Sequence, residues 1–72
     1  NIHIDEIIIE LESLTIDKKI LDSYFQEIIA IKYLILNEKS EAKKILKSLL
    51  LQDEIPIELR VRLEKLTLIA EK

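Results

Sequence analysis

Apolar residues recur at intervals of three and four along most of the chain, the spacing that lines one face of a helix. Ile4, Ile7, Ile8, Leu11 and Leu14 form the first such stripe, with Asp5, Glu6, Glu10 and Glu12 largely off it. This predicts a helix from about Ile4 to Leu14, with carboxylates near the positive end of its dipole. Thr15 to Ile20, where Asp17, Lys18 and Lys19 break the stripe, reads as a connector. A second helix is expected over Asp22 to Leu36, with Ser23 and Gln26 in the form of a capping box. From Tyr24 and Phe25 to Ile35 and Leu36 this segment is apolar almost all round, as suits the middle of a bundle. Asn37 is its expected end, because Asn tolerates the left-handed conformation of a residue just past a helix.

The third helix is expected over Lys39 to Leu51, with Ala42, Ile45, Leu46 and Leu49 inward and Lys43, Lys44 and Lys47 outward. Gln52 to Ile55 form the next connector. Pro56 fits the first helical position, where a missing N–H is harmless, so the fourth helix runs from about Pro56 to Ala70. Leu59, Leu63 and Leu66 face inward along it. A longer register joins the two halves. At an offset of 35 residues, Leu11, Ser13, Leu14, Ile20, Tyr24, Ile28 and Ile31 meet Leu46, Ser48, Leu49, Ile55, Leu59, Leu63 and Leu66. Such a period marks stacked helical hairpins, none of which buries its apolar face alone. The expected fold is all-α, with four helices as two antiparallel hairpins in one domain spanning residues 1–72.

Composition supports that reading and narrows the chemistry. Hydrophobic residues make up 49% of the 72 positions, yet there is no Gly and one Pro, too few turn-makers for an all-β fold. Without Cys, and with a single His, the chain has neither a disulfide nor a structural zinc site to hold it. Apolar packing must therefore stabilise it. No apolar run approaches 18 residues, so this segment does not insert in a membrane. A net charge of −3 argues against nucleic acid as a partner, which calls for a dense cationic footprint. A first residue of Asn rather than Met predicts a piece of a longer protein.

The stretch from Tyr24 to Leu51 resembles one tetratricopeptide repeat (TPR). Ala30 stands at its first small position, Tyr33 at the aromatic three residues on, and Ala42 at the small residue of the second helix. Asn37-Glu38-Lys39-Ser40-Glu41-Ala42 occupies the place of the usual Gly-Asp-Tyr-x-Glu-Ala turn. The Gly and the turn Tyr are absent, and Leu49 replaces a usual small residue, so the hairpin is a degenerate version. The tail from Ala42 to Lys72 looks like the end of a bacterial TPR-like family of membrane-anchored proteins that includes an ancillary Sec translocon subunit. The resemblance implies a right-handed TPR-like stack and a non-enzymatic role in binding other proteins. It also implies that this segment is the soluble part of an inner-membrane-anchored protein.

Candidate sites are few. His3 lies near a terminus and has no partner at a ligand or catalytic spacing. Ser13, Ser23, Ser40 and Ser48 lack a nucleophile-and-base constellation, and capping or surface roles account for them. Glu6 with Glu10 makes a carboxylate pair, but without a Glu-x-x-His motif it reads as a solvated helix face. Lys43, Lys44, Lys47, Arg60, Arg62 and Lys65 concentrate positive charge, interleaved with Glu41, Glu58 and Glu64. No catalytic, metal or cofactor site is expected. In TPR proteins the first helix of each hairpin lines the concave surface, which here carries Glu27, Ile31, Leu34, Arg62, Leu66 and Ile69. That strip lacks the Lys and Asn residues that clamp a peptide carboxylate, and suits a partner helix or extended protein segment. The same strip also suits burial in a homodimer or against the rest of a longer chain.

Overall fold

The computed structural model describes residues 4–13 and 18–72, so His3, Leu14 and the Thr15–Asp17 part of the expected connector lie outside it. The fold is all-α, with no strand among the described residues: α1 (Ile4–Ser13), α2 (Lys18–Ile35), α3 (Lys39–Leu50) and α4 (Ile57–Ala70). α3 and α4 match their expected bounds to within a residue, and α1 starts where expected, its expected end at Leu14 lying outside the described residues.

The exception is the start of α2, at Lys18 rather than Asp22. Lys18 and Lys19 are exposed, so their charges sit on the solvated side of a first helical turn while Ile20 packs on the core. Charge alone did not break the helix. Ser23 is consequently inside α2 and not its cap. Its buried hydroxyl donates to the Lys19 carbonyl one turn back (3.1 Å) and lies 3.0 Å from Oε1 of Gln52 beyond α3.

The other ends follow local chemistry. Asn37 adopts φ 60°, the left-handed conformation, and Glu38 N–H donates to Tyr33 C=O (2.8 Å) while Asn37 N–H donates to Leu34 C=O (3.1 Å). These two bonds make a Schellman motif, which folds α3 back on α2 without a glycine. Pro56 stands one position before its expected place, as the N-cap of α4 (φ −56°, ψ 146°), and its carbonyl accepts from Arg60 N–H at 3.0 Å. Arg60 also donates through its guanidinium to Leu50 C=O (3.3 Å) and Gln52 C=O (2.7 Å), closing the last carbonyls after α3.

α2 is the central helix and packs against α1, α3 and α4; its contact with α3 is the most extensive, followed by that of α3 with α4. Ala30 and Ala42, both fully buried, allow α2 and α3 to approach. The core runs through all four helices: Ile7 on α1, Tyr24 and Ile31 on α2, Leu46 and Leu49 on α3, then Leu59, Leu63, Leu66 and Ala70 on α4. α1 is the thinnest participant. It buries Ile7 completely and Leu11 in part, and leaves Ile4, Ile8 and Ile9 exposed.

Candidate functional site

The 35-residue register has a direct consequence in space: Glu27 of α2 and Arg62 of α4, one period apart, pair with each other. Arg62 Nε donates to Glu27 Oε2 at 2.8 Å and Nη2 to Oε1 at 3.0 Å, a fork that holds both groups in one plane. Glu27 is fully buried and Arg62 keeps 15% of its side-chain exposure, so the pair is set inside the α2–α4 seam.

α1 completes the arrangement. Arg62 Nη1 donates to Glu10 Oε2, and the buried Tyr24 hydroxyl donates to the other oxygen, Glu10 Oε1, at 2.9 Å. The Arg62 guanidinium carbon also lies 5.8 Å from the centre of the Tyr24 ring, within reach of a cation–π contact. Three helices thus meet at one polar knot, and no buried side-chain nitrogen or oxygen among the described residues is left without a partner.

Burial governs the charges. Removal from water pushes the Glu27 carboxyl above its ordinary range, against the hydrogen bond and charge of Arg62. Burial, then the hydrogen bond and charge of Glu10, push the Tyr24 phenol up to about 12, so it remains a donor at neutral pH. For Arg62, burial works against the charge but the Glu27 and Glu10 carboxylates outweigh it, and its pKa stands above the ordinary value. The guanidinium is therefore permanently charged.

Beside the knot, residues of α1 and α4 line a groove of about 510 Å³. Ile9 lines it from α1, and Ile57 and Val61 from α4, all three exposed, together with the charged Glu6, Glu10, Glu58, Arg62 and Lys65.

The six residues expected on the concave face divide between these places. Ile31 and Leu66 are core, at 2% and 6% exposure, and Glu27 is sealed at 0%, while Leu34 and Ile69 are half-buried against the core. Arg62 alone reaches the groove. The strip read from the repeat is mostly part of the core or packed against it. Glu10, read as part of a solvated face, is instead half-buried in the knot, whereas Glu6 is exposed. The basic residues do not make one patch: Arg60 and Arg62 are engaged, Lys44 pairs with Glu41 at 3.4 Å, and Lys43 and Lys47 are exposed along α3. The Glu27–Arg62 pair was not expected, although opposite charges one period apart are a signal that could have found it. The role of Tyr24 left no such signal, because its hydroxyl is used by α1, outside the repeat logic.

Among the described residues no group of three or more His, Asp or Glu could hold a metal ion, and no helix is long and apolar enough to cross a membrane. No protein-family model matches the chain, and no curated protein or solved structure matches it either.

Proposed function

We propose that this chain is a non-enzymatic protein-interaction module whose docking surface is the groove beside Arg62, between α1 and α4. The carrying observation is that Ile9, Ile57 and Val61, from two different helices, are exposed and converge on one groove. Scattered exposed apolar residues are ordinary, but convergent ones rimmed by charge fit a partner's apolar side chains. The charged Glu6, Glu58, Arg62 and Lys65 that also line the groove would orient that partner. In this reading the groove takes a helical or extended protein segment, and the protein is a bacterial, membrane-tethered adaptor of the TPR-like kind.

The competing reading is a structural element, with the groove buried in a homodimer or against further chain. Leu21, Phe25 and Ile29, exposed one turn apart on α2, give it a specific surface. A photo-crosslinking residue at Val61, used in the full-length protein in cells, separates the two. A specific adduct to a different protein, lost on Ile9→Lys, supports docking in the groove. An adduct to a second copy, or none at all, overturns it.

A further inference from the structure

The chain carries its own control for which apolar residues the fold requires. Positions 35 residues apart are equivalent in its two halves, and in the core both members are hydrophobic: Tyr24 and Leu59, Ile28 and Leu63, Ile31 and Leu66. Four exposed positions break that rule. Ile4 and Ile8 on α1 and Phe25 and Ile29 on α2 are apolar, whereas Lys39, Lys43, Arg60 and Glu64 stand one period later. The fold accommodates charge at the equivalent positions, so it does not require apolar residues at these four.

Helix geometry puts the four on one side of the molecule. On α1, Glu10 turns from Ile7 toward Arg62, and Ile4 and Ile8 lie on the opposite flank of Ile7. On α2, Glu27 faces α4 and Tyr24 faces α1, which leaves Phe25 and Ile29, with Leu21, on the side away from α4. Single exposed apolar residues need no explanation, but a patch spread over two helices marks an interaction surface. It is distinct from the groove, whose Glu6, Ile9 and Glu10 belong to the other flank of α1.

Charge divides the borders of this patch. α1 carries four carboxylates and no base, while α3, on the far side of α2, carries four lysines against Glu41 alone. Asp5 and Glu12, three residues before and four after Ile8, are exposed beside it. On the other border Lys44 lines a cleft with Asp22 and Gln26 of α2, and Lys47 is exposed one turn further along α3. We propose that the patch is the interface of a homodimer in which each α1 lies over the α3 of the other copy. A two-fold axis along α2 sets Phe25 against its own counterpart and brings each acidic border onto a lysine border. An axis across α2 would set acid on acid and lysine on lysine, so charge selects the first. The same contact is made twice, which closes the assembly at two copies. The groove stays open on both, so this dimer differs from one that buries it, and it presents two docking surfaces at once.

Sedimentation equilibrium of the full chain over a range of concentrations tests the proposal. The sedimenting mass should rise from that of one chain toward that of two, and added salt should weaken the rise. Phe25→Glu, at an exposed position, should keep the helical circular dichroism and stay monomeric. Charge reversal tests the borders. Asp5→Lys with Glu12→Lys, and Lys44→Glu with Lys47→Glu, should each remain helical and lose about tenfold or more in self-association. Mixed in equal amounts, the two reversed variants should recover a dimer, because each then meets its complement. A wild-type monomer at every concentration overturns the proposal. So do a dimer that survives Phe25→Glu, folded reversed variants that fail to associate on mixing, and a Val61 adduct that joins two copies across the groove.

Discussion

The two flanks of α2 are sealed by different means. Toward α3 and α4 the seal is largely dry, built from Ala30, Ile31, Leu46, Leu49, Leu63 and Leu66, with Glu27 and Arg62 as its polar inclusion. Toward α1 it is, among the described residues, the buried Ile7, the half-buried Leu11 and a carboxylate that bridges Tyr24 and Arg62. Each fully buried Leu or Ile is worth about 1.5–3 kcal/mol, so several of them make the dry flank a cooperative unit. A hydrogen bond to a charged group adds about 1.5–3 kcal/mol at best, and less where the carboxylate is partly exposed. A helix of ten residues is marginal by itself. α1 is thus the part of the fold that opens most cheaply, while α2, α3 and α4 stand or fall together.

The largest expected effect breaks the dry flank. Ile31→Asp should place an unpaired charge at a 2% exposed site, cost several kcal/mol and abolish the cooperative thermal transition. A nearly unchanged melting temperature would mean that the face is open after all. Next comes Arg62→Leu, which strands Glu27 in the seam and should cost about 3–5 kcal/mol by chemical denaturation. Adding Glu27→Leu should recover much of that loss, since two apolar residues tolerate the seam better than one orphaned carboxylate. Asn37→Ala forces an ordinary residue into φ 60° and should cost about 1–2 kcal/mol, with no change in the α1 contact.

A finer probe uses pH. The Glu27 carboxyl titrates above its unfolded value, so the folded state holds that proton more tightly. Its contribution favours the fold at or below the ordinary carboxylate range and is lost as pH rises through the raised value. The stability of the wild type relative to Glu27→Gln should therefore increase as pH falls from neutral toward that range. A relative decrease would show that the charged pair with Arg62 dominates over burial.

Helix periodicity made α3, α4 and the body of α2 legible, because their buried residues follow the 3.6-residue spacing closely. It failed at Lys18 and Lys19, where charges on the outer face of a first turn look the same in sequence as charges in a loop. Ser23 illustrates the same ambiguity, since a capping hydroxyl and one donating a turn backward share a residue type. For the site, the sequence reading put Glu27 and Arg62 on an open strip with Ile31 and Leu66, whereas the fold pairs the two charges and buries the two apolar residues in the core. Glu10 was beyond that logic altogether. Nothing in the repeat relates α1 to α4, and only the folded chain brings Glu10 to Arg62.

Amide hydrogen exchange on the wild type and on Glu10→Ala tests the difference between the two flanks most directly. In the wild type α1 should exchange faster than α2, α3 and α4. In Glu10→Ala, α1 should accelerate by about tenfold or more, the equivalent of about 1.4 kcal/mol, while the other three helices keep their rates. Exchange of α1 at the rate of the core, or equal acceleration of all four helices in Glu10→Ala, would contradict it.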